Sequence, residues 1–115
     1  MCIKDSGTTC VVLLIRGNKM FTANVGDSRC IAFSHRTFKQ LTVDHKPWVK
    51  EERARILLNG GIVTAIQGKN GQRVGPERVW NKRKQGLGLA MSRSIGDLVA
   101  KEIGVISSPG NPSVN

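Results

Sequence analysis

The run Met20-Phe21-Thr22-Ala23-Asn24-Val25-Gly26-Asp27-Ser28-Arg29-Cys30-Ile31-Ala32-Phe33-Ser34 decides how the rest of the chain is read. Its two ends have the β-branched and aromatic content of strands. The Gly-Asp-Ser between them is turn chemistry, because glycine permits positive φ and Asp and Ser can hydrogen-bond neighbouring backbone amides. Two strands joined by a hairpin tip at 26–28 are therefore expected. Such a tip sets one carboxylate, Asp27, and one guanidinium, Arg29, at the end of a sheet.

Toward the N-terminus, Ser6-Gly7 runs into Thr8-Thr9-Cys10-Val11-Val12-Leu13-Leu14-Ile15. A strand that is apolar at consecutive positions is normally covered on both faces, which predicts a central strand. Gly17-Asn18 reads as a tight turn, so residues 8 to 34 are expected to form a three-strand antiparallel meander, with Phe38-Lys39-Gln40-Leu41-Thr42 able to add a fourth strand.

Toward the C-terminus, Val43-Asp44-His45-Lys46-Pro47 breaks the pattern, and Pro47 suits the first turn of a helix. Residues 48 to 58 predict a short amphipathic helix with Glu51 and Glu52 early, Ala54, Leu57 and Leu58 on one side, and Gly60-Gly61 as its stop. Ile62-Val63-Thr64-Ala65-Ile66 is strand-like. From Gln67 to Gly88 the chain reads as a solvated, basic excursion: Lys69 to Arg93 holds seven basic residues against Glu77 alone. A helical segment is expected from Asp97 to Ile103, and a frayed tail over 107–115.

The 115 residues suit one small domain, with 18 Lys and Arg against 8 acidic residues and a formal charge of +10. This balance favours phosphate-bearing or acidic partners. A nucleic-acid binder is the weakest of these, since two Trp, three Phe and no Tyr offer no stacking motif. Cys2, Cys10 and Cys30 make no C-x-x-C pair and read as reduced thiols of an intracellular protein, in cytoplasm or nucleus. No apolar run approaches membrane-spanning length, so a soluble protein with no membrane partner is expected.

Four separated segments carry a resemblance: Ser6-Gly7-Thr8-Thr9, Ala23-Asn24-Val25-Gly26-Asp27-Ser28-Arg29, Leu41-Thr42-Val43-Asp44-His45-Lys46-Pro47, and Gly88-Leu89-Ala90-Met91-Ser92-Arg93-Ser94-Ile95-Gly96-Asp97. Together they resemble the metal-dependent protein serine/threonine phosphatases of the type 2C (PPM) family. Glu52, Arg55 and Ile56 before Gly60-Gly61, Arg78-Val79-Trp80, and Gly104-Val105-Ile106 also look like family positions. The resemblance spans roughly residues 6 to 109.

It implies an α+β fold, an antiparallel β-sandwich flanked by helices, in which two Mg²⁺ or Mn²⁺ ions activate a water that attacks phosphoserine or phosphothreonine in proteins. The family's Asp-Gly-His-Gly-Gly, Asp-Gly-x-Trp-Asp and Gly-x-x-Asp-Asn segments, which supply principal metal ligands, have no counterpart here. The chain is thus expected to be the central portion of the domain, part of a larger chain or assembly. No residue is assigned as catalytic, and no metal is expected to bind this chain alone. Asp27 matches the family aspartate of an additional metal site. The rival reading is a non-catalytic scaffold or interaction subunit that keeps the fold.

For the remaining residues, Asp44 and His45 are expected to cap the turn before Pro47, and Arg93 and Asp97 to form an ion pair or cap within a structural motif. Arg29 can hold Asp27 or face solvent, and His35 reads as a surface strand residue. The 67–88 excursion falls where the family carries its flap. There Trp80, Lys82, Arg83 and Lys84 are candidates for contact with a phosphoprotein substrate or an acidic regulator, or else form a solvated charge run.

Overall fold

The structure, a computed structural model, describes residues 3–84, 88–110 and 113–114. After a 3-10 turn at Ile3–Asp5 come β1 (Gly7–Thr8), β2 (Cys10–Arg16), β3 (Lys19–Val25), β4 (Ile31–Ser34), β5 (Thr37–Gln40), α1 (Lys50–Leu58), β6 (Ile62–Gln67), β7 (Arg73–Trp80), β8 (Ile95–Gly96), α2 (Leu98–Lys101) and β9 (Ser113–Val114). All named strand pairs are antiparallel and fall into four small sheets: β1 with β8, β2-β3-β9, β4 with β5, and β6 with β7. The expected α+β, antiparallel class holds.

The meander does not form as expected. β2 and β3 pair in full register from Cys10↔Val25 to Arg16↔Lys19 around Gly17-Asn18, but β4 turns to β5. Both backbone groups of Gly26 are engaged by His45, and the Cys30 amide donates to Thr42 Oγ1 while its carbonyl accepts from the Leu41 amide. The chain at 26–30 is thus held to the 41–45 segment, and residues 26–28 link two hairpins instead of tipping one. The free edge of β3 is taken by β9 through Phe21↔Val114 and Thr22↔Ser113, so part of the tail read as frayed is sheet. Asn111, Pro112 and Asn115 lie outside the described residues.

Two expectations about burial are also corrected. β2 is an edge strand, and Val11, Val12, Leu13, Leu14 and Ile15 are 37% to 64% exposed, so the apolar run marks a surface on both faces. On α1 the packed side carries Ile56 and Glu52, four apart, while Leu57 and Leu58 are exposed. A predominantly polar helix is fixed by one aliphatic residue and one paired carboxylate.

The core joins α1 to the β6–β7 hairpin and α2. Ile56, Val63, Val79, Ala100 and Val105 are buried together, with Leu89 and Ile103 packed against them. Ile56, Val79 and Val105 are fully buried, each such aliphatic side chain contributing about 1.5–3 kcal/mol. Gly61 lets the strand lie on the helix, because a Cβ there would stand 2.6 Å from the Ile56 Cγ2 methyl.

Part of the stretch read as an excursion is strand. β7 pairs with β6 from Ile62↔Trp80 to Gln67↔Arg73, with an irregularity at 64–66. Gly75 and Pro76, which punctuate loops in a sequence, here sit opposite that irregularity. Leu87 lies outside the described residues. No helix among the described residues is long and apolar enough to cross a membrane.

Candidate functional site

The link between β3 and β4 is pinned to the segment before Pro47. The Gly26 amide donates to His45 Nδ1 at 3.1 Å, and the His45 amide donates to the Gly26 carbonyl at 2.9 Å. Asn24 Nδ2 donates to the carbonyls of Gly26 and Val43. Gly26 has φ +104°, and a Cβ at that position would collide with the Thr9 methyl group, so only glycine fits. Thr9 and Ser28 share a hydroxyl hydrogen bond of 2.7 Å. His45 is buried, and burial together with the Arg93 charge lowers its pKa below the usual imidazole value.

Arg29 does not hold Asp27. Its guanidinium forms a two-point bond to Asp44, Nε to Oδ1 at 3.0 Å and Nη2 to Oδ2 at 2.7 Å, which keeps the Asp44 carboxyl below its usual range. Asp27 instead accepts from Lys46 Nζ at 2.6 Å. The same ammonium lies 5.8 Å from the Trp48 ring centroid, a cation–π distance. The carboxylate, the ammonium and the indole therefore form one row along the corner, with both Asp27 and Lys46 about three-quarters covered.

Whether these residues suit a metal can be tested on the donor set. Mg²⁺ and Mn²⁺ take several oxygen ligands. Among the described residues no group of three or more His, Cys, Asp and Glu could hold a metal ion, and the Asp27 carboxylate is already engaged by Lys46. The residues present do not by themselves fit a metal centre.

A second cluster braces the corner from behind. Glu52 on α1 accepts from Arg55 Nη2 at 2.7 Å, from Ser92 Oγ at 2.6 Å, and from Arg93 Nη2 at 2.7 Å with Nε close by. Burial alone disfavours the charged carboxylate, but the bonds from Arg55, Arg93 and Ser92 outweigh it and hold Glu52 well below the usual carboxylate range. Arg55 also donates to the carbonyls of Gly104 and Ser92, and Arg93 Nη1 donates to the Ser108 carbonyl.

Arg93 thus pairs with Glu52 and not with Asp97. Asp97 occupies the N-cap position of α2 in the left-handed region (φ 46°), its amide donates to the Ser6 carbonyl, and its carbonyl accepts from the Ala100 and Lys101 amides. Its carboxylate lies over Gly7, where any Cβ would occupy the same space.

The four segments that carry the resemblance converge. Gly7 pairs with Gly96, Thr9 bonds Ser28, Gly26 bonds His45, and the Ser92 amide donates to the His45 carbonyl. Trp80, Lys82, Arg83 and Lys84 lie away from these bonds. Trp80 Nε1 donates to the Thr64 carbonyl at 2.9 Å, its ring faces Gly88, and the three cations are exposed on a turn closed by Lys84 N–H to Asn81 O. Trp48 and the pairing of Lys46 have no mark in the sequence, and Glu52 is marked there as a family position beside Arg55 and Ile56 but not as a hub. The signal for Glu52 was its helical register with Ile56, and nothing in spacing alone pairs Lys46 with a residue nineteen positions away. Cys10 and Cys30 are free thiols, and Cys2 lies outside the described residues.

Compared with known proteins, residues 2–114 match the family model described as Protein phosphatase 2C. The rice protein named "Probable protein phosphatase 2C 12" (Oryza sativa subsp. japonica) is 42% identical over 109 residues, covering 90% of this chain and 27% of that protein. The Arabidopsis thaliana protein named "Probable protein phosphatase 2C 34" is 37% identical over 110 residues, covering 91% and 30%. The chain spans about three-tenths of the length of these curated relatives. Among solved structures, a serine-threonine phosphatase 2C from Toxoplasma gondii aligns with TM-score 0.74 and 25% identity over 93% of this chain and 36% of that one. A C. elegans sex determining protein aligns with TM-score 0.73 and 27% identity over 95% and 24%.

Proposed function

Because the chain belongs to the protein phosphatase 2C family, we propose that it forms part of a metal-dependent serine/threonine phosphatase that hydrolyses phosphoserine and phosphothreonine esters in proteins. One observation carries this reading: the four matched segments, far apart in sequence, are hydrogen-bonded to one another around Gly26 and His45. The family is metal-dependent in general, with Mg²⁺ or Mn²⁺. Asp27 is proposed as one carboxylate of such a centre, whose other ligands are not among the described residues of this chain. The chain's own contribution is to fix the Asp27 loop through Gly26 and His45, and to brace it through Glu52, Arg55 and Arg93.

Phosphoproteins are the proposed substrates, and a net charge of +10 favours their acidic surfaces. Trp80, Lys82, Arg83 and Lys84 are proposed as an outer contact for substrate or regulator. Free thiols at Cys10 and Cys30 suit a cytoplasmic or nuclear setting.

The test is a graft. Residues 2–114 replace the matched stretch of the rice relative, and Mn²⁺-dependent phosphate release from a phosphothreonine peptide is measured. The graft is expected to turn over substrate, with Asp27→Ala lowering the rate at least about tenfold. A graft that melts cooperatively but releases no phosphate would replace this reading with that of a non-catalytic scaffold.

A further inference from the structure

We propose that the groove between Trp48 and the irregular part of the β6–β7 hairpin docks an acidic segment, carrying an apolar side chain, of the phosphoprotein substrate. The identity of that partner rests on the phosphatase reading; the groove itself does not.

The groove is built by the sequence of β7. Thr64 pairs with Arg78 and Ile66 with Val74, so Ala65 alone faces Gly75, Pro76 and Glu77. Pro76 has no N–H for the ladder, and Gly75 adopts φ +73°, a conformation that side chains other than glycine resist. The ladder is therefore broken at this point, as at bulges that re-aim side chains beside functional sites. Glu77 is tied back to α1 through Arg53 Nη1 at 3.0 Å. Trp48 stands across from the break, just after the fully buried Pro47, and keeps 46% of its surface exposed. Trp48, Ala65, Arg73, Gly75, Pro76 and Glu77 line an open groove of about 460 Å³.

Charge decides the occupant. Of the two charged residues lining the groove, Glu77 is spent on Arg53. The Arg73 guanidinium makes no ion pair and no side-chain hydrogen bond among the described residues. The groove thus offers an indole, a pyrrolidine ring and one free guanidinium within a chain of charge +10. That set complements a carboxylate next to an apolar side chain, with Trp and Arg as the anchor types. The position fits as well. Trp48 lies beneath Lys46, whose ammonium holds Asp27, so the groove sits one side chain away from the corner where the matched segments meet. Lys82, Arg83 and Lys84, the basic run that stands out in the sequence, do not line it.

The test uses the 115-residue chain and a fluorescein-labelled, unphosphorylated peptide of alternating Asp and Leu or Phe, with binding read by anisotropy. Trp48→Ala and Arg73→Glu are each expected to weaken binding at least about tenfold. Trp48→Phe should restore most of it, Arg73→Glu should gain binding of the matching Lys peptide, and Lys19→Glu at the exposed β2–β3 turn should change little. Circular dichroism confirms that each variant is folded.

The proposal is overturned by absence of binding, by an equal loss in Lys19→Glu, or by tighter Trp48-dependent binding of oligothymidylate, which would make the face a nucleic-acid surface. No phosphate or metal enters the measurement, so its failure is separate from that of the phosphatase reading. In an active graft, Trp48→Ala should raise KM for a phosphothreonine peptide with an acidic, apolar flank more than for one without that flank; an equal effect on the two peptides counts against the groove. Peptide binding that persists when the graft is inactive keeps the groove and discards the phosphatase.

Discussion

Arg93 Nη2 donates to Glu52 Oε1 at 2.7 Å, joining the segment after β7 to α1 across forty-one residues. Glu52 is almost fully buried and also satisfies Arg55 and Ser92, so its removal leaves two guanidinium groups without their carboxylate, with only backbone carbonyls as acceptors. Truncating one member of a buried ionic network costs about 3–5 kcal/mol. Glu52→Ala is therefore expected to lower the unfolding free energy by an amount in that range, read as a lower urea midpoint with m unchanged. A loss under about 1 kcal/mol would mean that the hub does not brace the fold.

Acid should destabilise the chain in two stages. His45 has a folded pKa below its ordinary 6.5, first because it is buried, with Arg93 and Arg55 also opposing its charge and Glu52 favouring it. Its contribution is complete above pH 6.5 and falls as pH drops below that value, because the unfolded chain takes up the proton first. Glu52 and Asp44 are also lowered, from 4.5 and 3.8, so their contribution is complete above those values and is lost below them. Melting temperature followed against pH should show both declines. His45→Asn, whose Oδ1 can still accept from the Gly26 amide, should remove the upper one and leave the lower.

Gly26→Ala places a methyl group in a left-handed backbone against Thr9. Strain of this kind costs about 1–3 kcal/mol. Thr9→Ser removes the opposing methyl and retains the hydroxyl that bonds Ser28. The double variant should recover only part of the steric loss, since the Thr9 Cβ would still stand 2.8 Å from the new methyl, and keep the φ penalty; a double-mutant cycle in urea unfolding measures the coupling. Full additivity would show that the two positions do not meet.

How much of this was legible depends on whether the signal is local. The Gly17-Asn18 hairpin, the strand before Gly26 and the helix between Pro47 and Gly60 follow from turn and capping chemistry within a few residues. The partner of β4 does not, because it is set by His45 occupying the Gly26 backbone from nineteen positions away. Gly75 and Pro76 hid β7, since breakers at an irregularity look the same in sequence as breakers in a loop. At the site, Asp27 could be located by motif, but its partner could not: Arg29 is nearer in sequence, yet Lys46 holds the carboxylate and Arg29 goes to Asp44. The pairing of Arg93 with Glu52 instead of Asp97 has the same origin, a contact between elements that local spacing does not encode.

Lys46 and Asp27 should be energetically coupled by at most about 1 kcal/mol, as both remain partly exposed. Lys46→Met deletes the ammonium and Asp27→Asn frees it from the carboxylate, so both should shift the Trp48 emission in the same direction, and the double variant should add little. With the carboxylate already paired and no three-ligand group among the described residues, Mn²⁺ at millimolar levels should leave the melting temperature of the wild-type chain unchanged. A saturable rise that disappears in Asp27→Asn would show a metal site that the donor geometry does not provide.

Val12 and Leu14 point to one face of β2 and are 51% and 57% exposed, on an edge strand whose only named partner is β3. From Cys10 to Ile15 this edge carries no charge, Arg16 being its last residue, and a long apolar edge is a template for pairing with another chain. The 115-residue chain is accordingly expected to self-associate with rising concentration. Leu14→Lys should reduce that association in sedimentation velocity while changing unfolding free energy by no more than about 0.5 kcal/mol, as for an exposed position. A loss of 2 kcal/mol or more, at about the level of a core substitution, would instead show that this strand is covered within the folded chain.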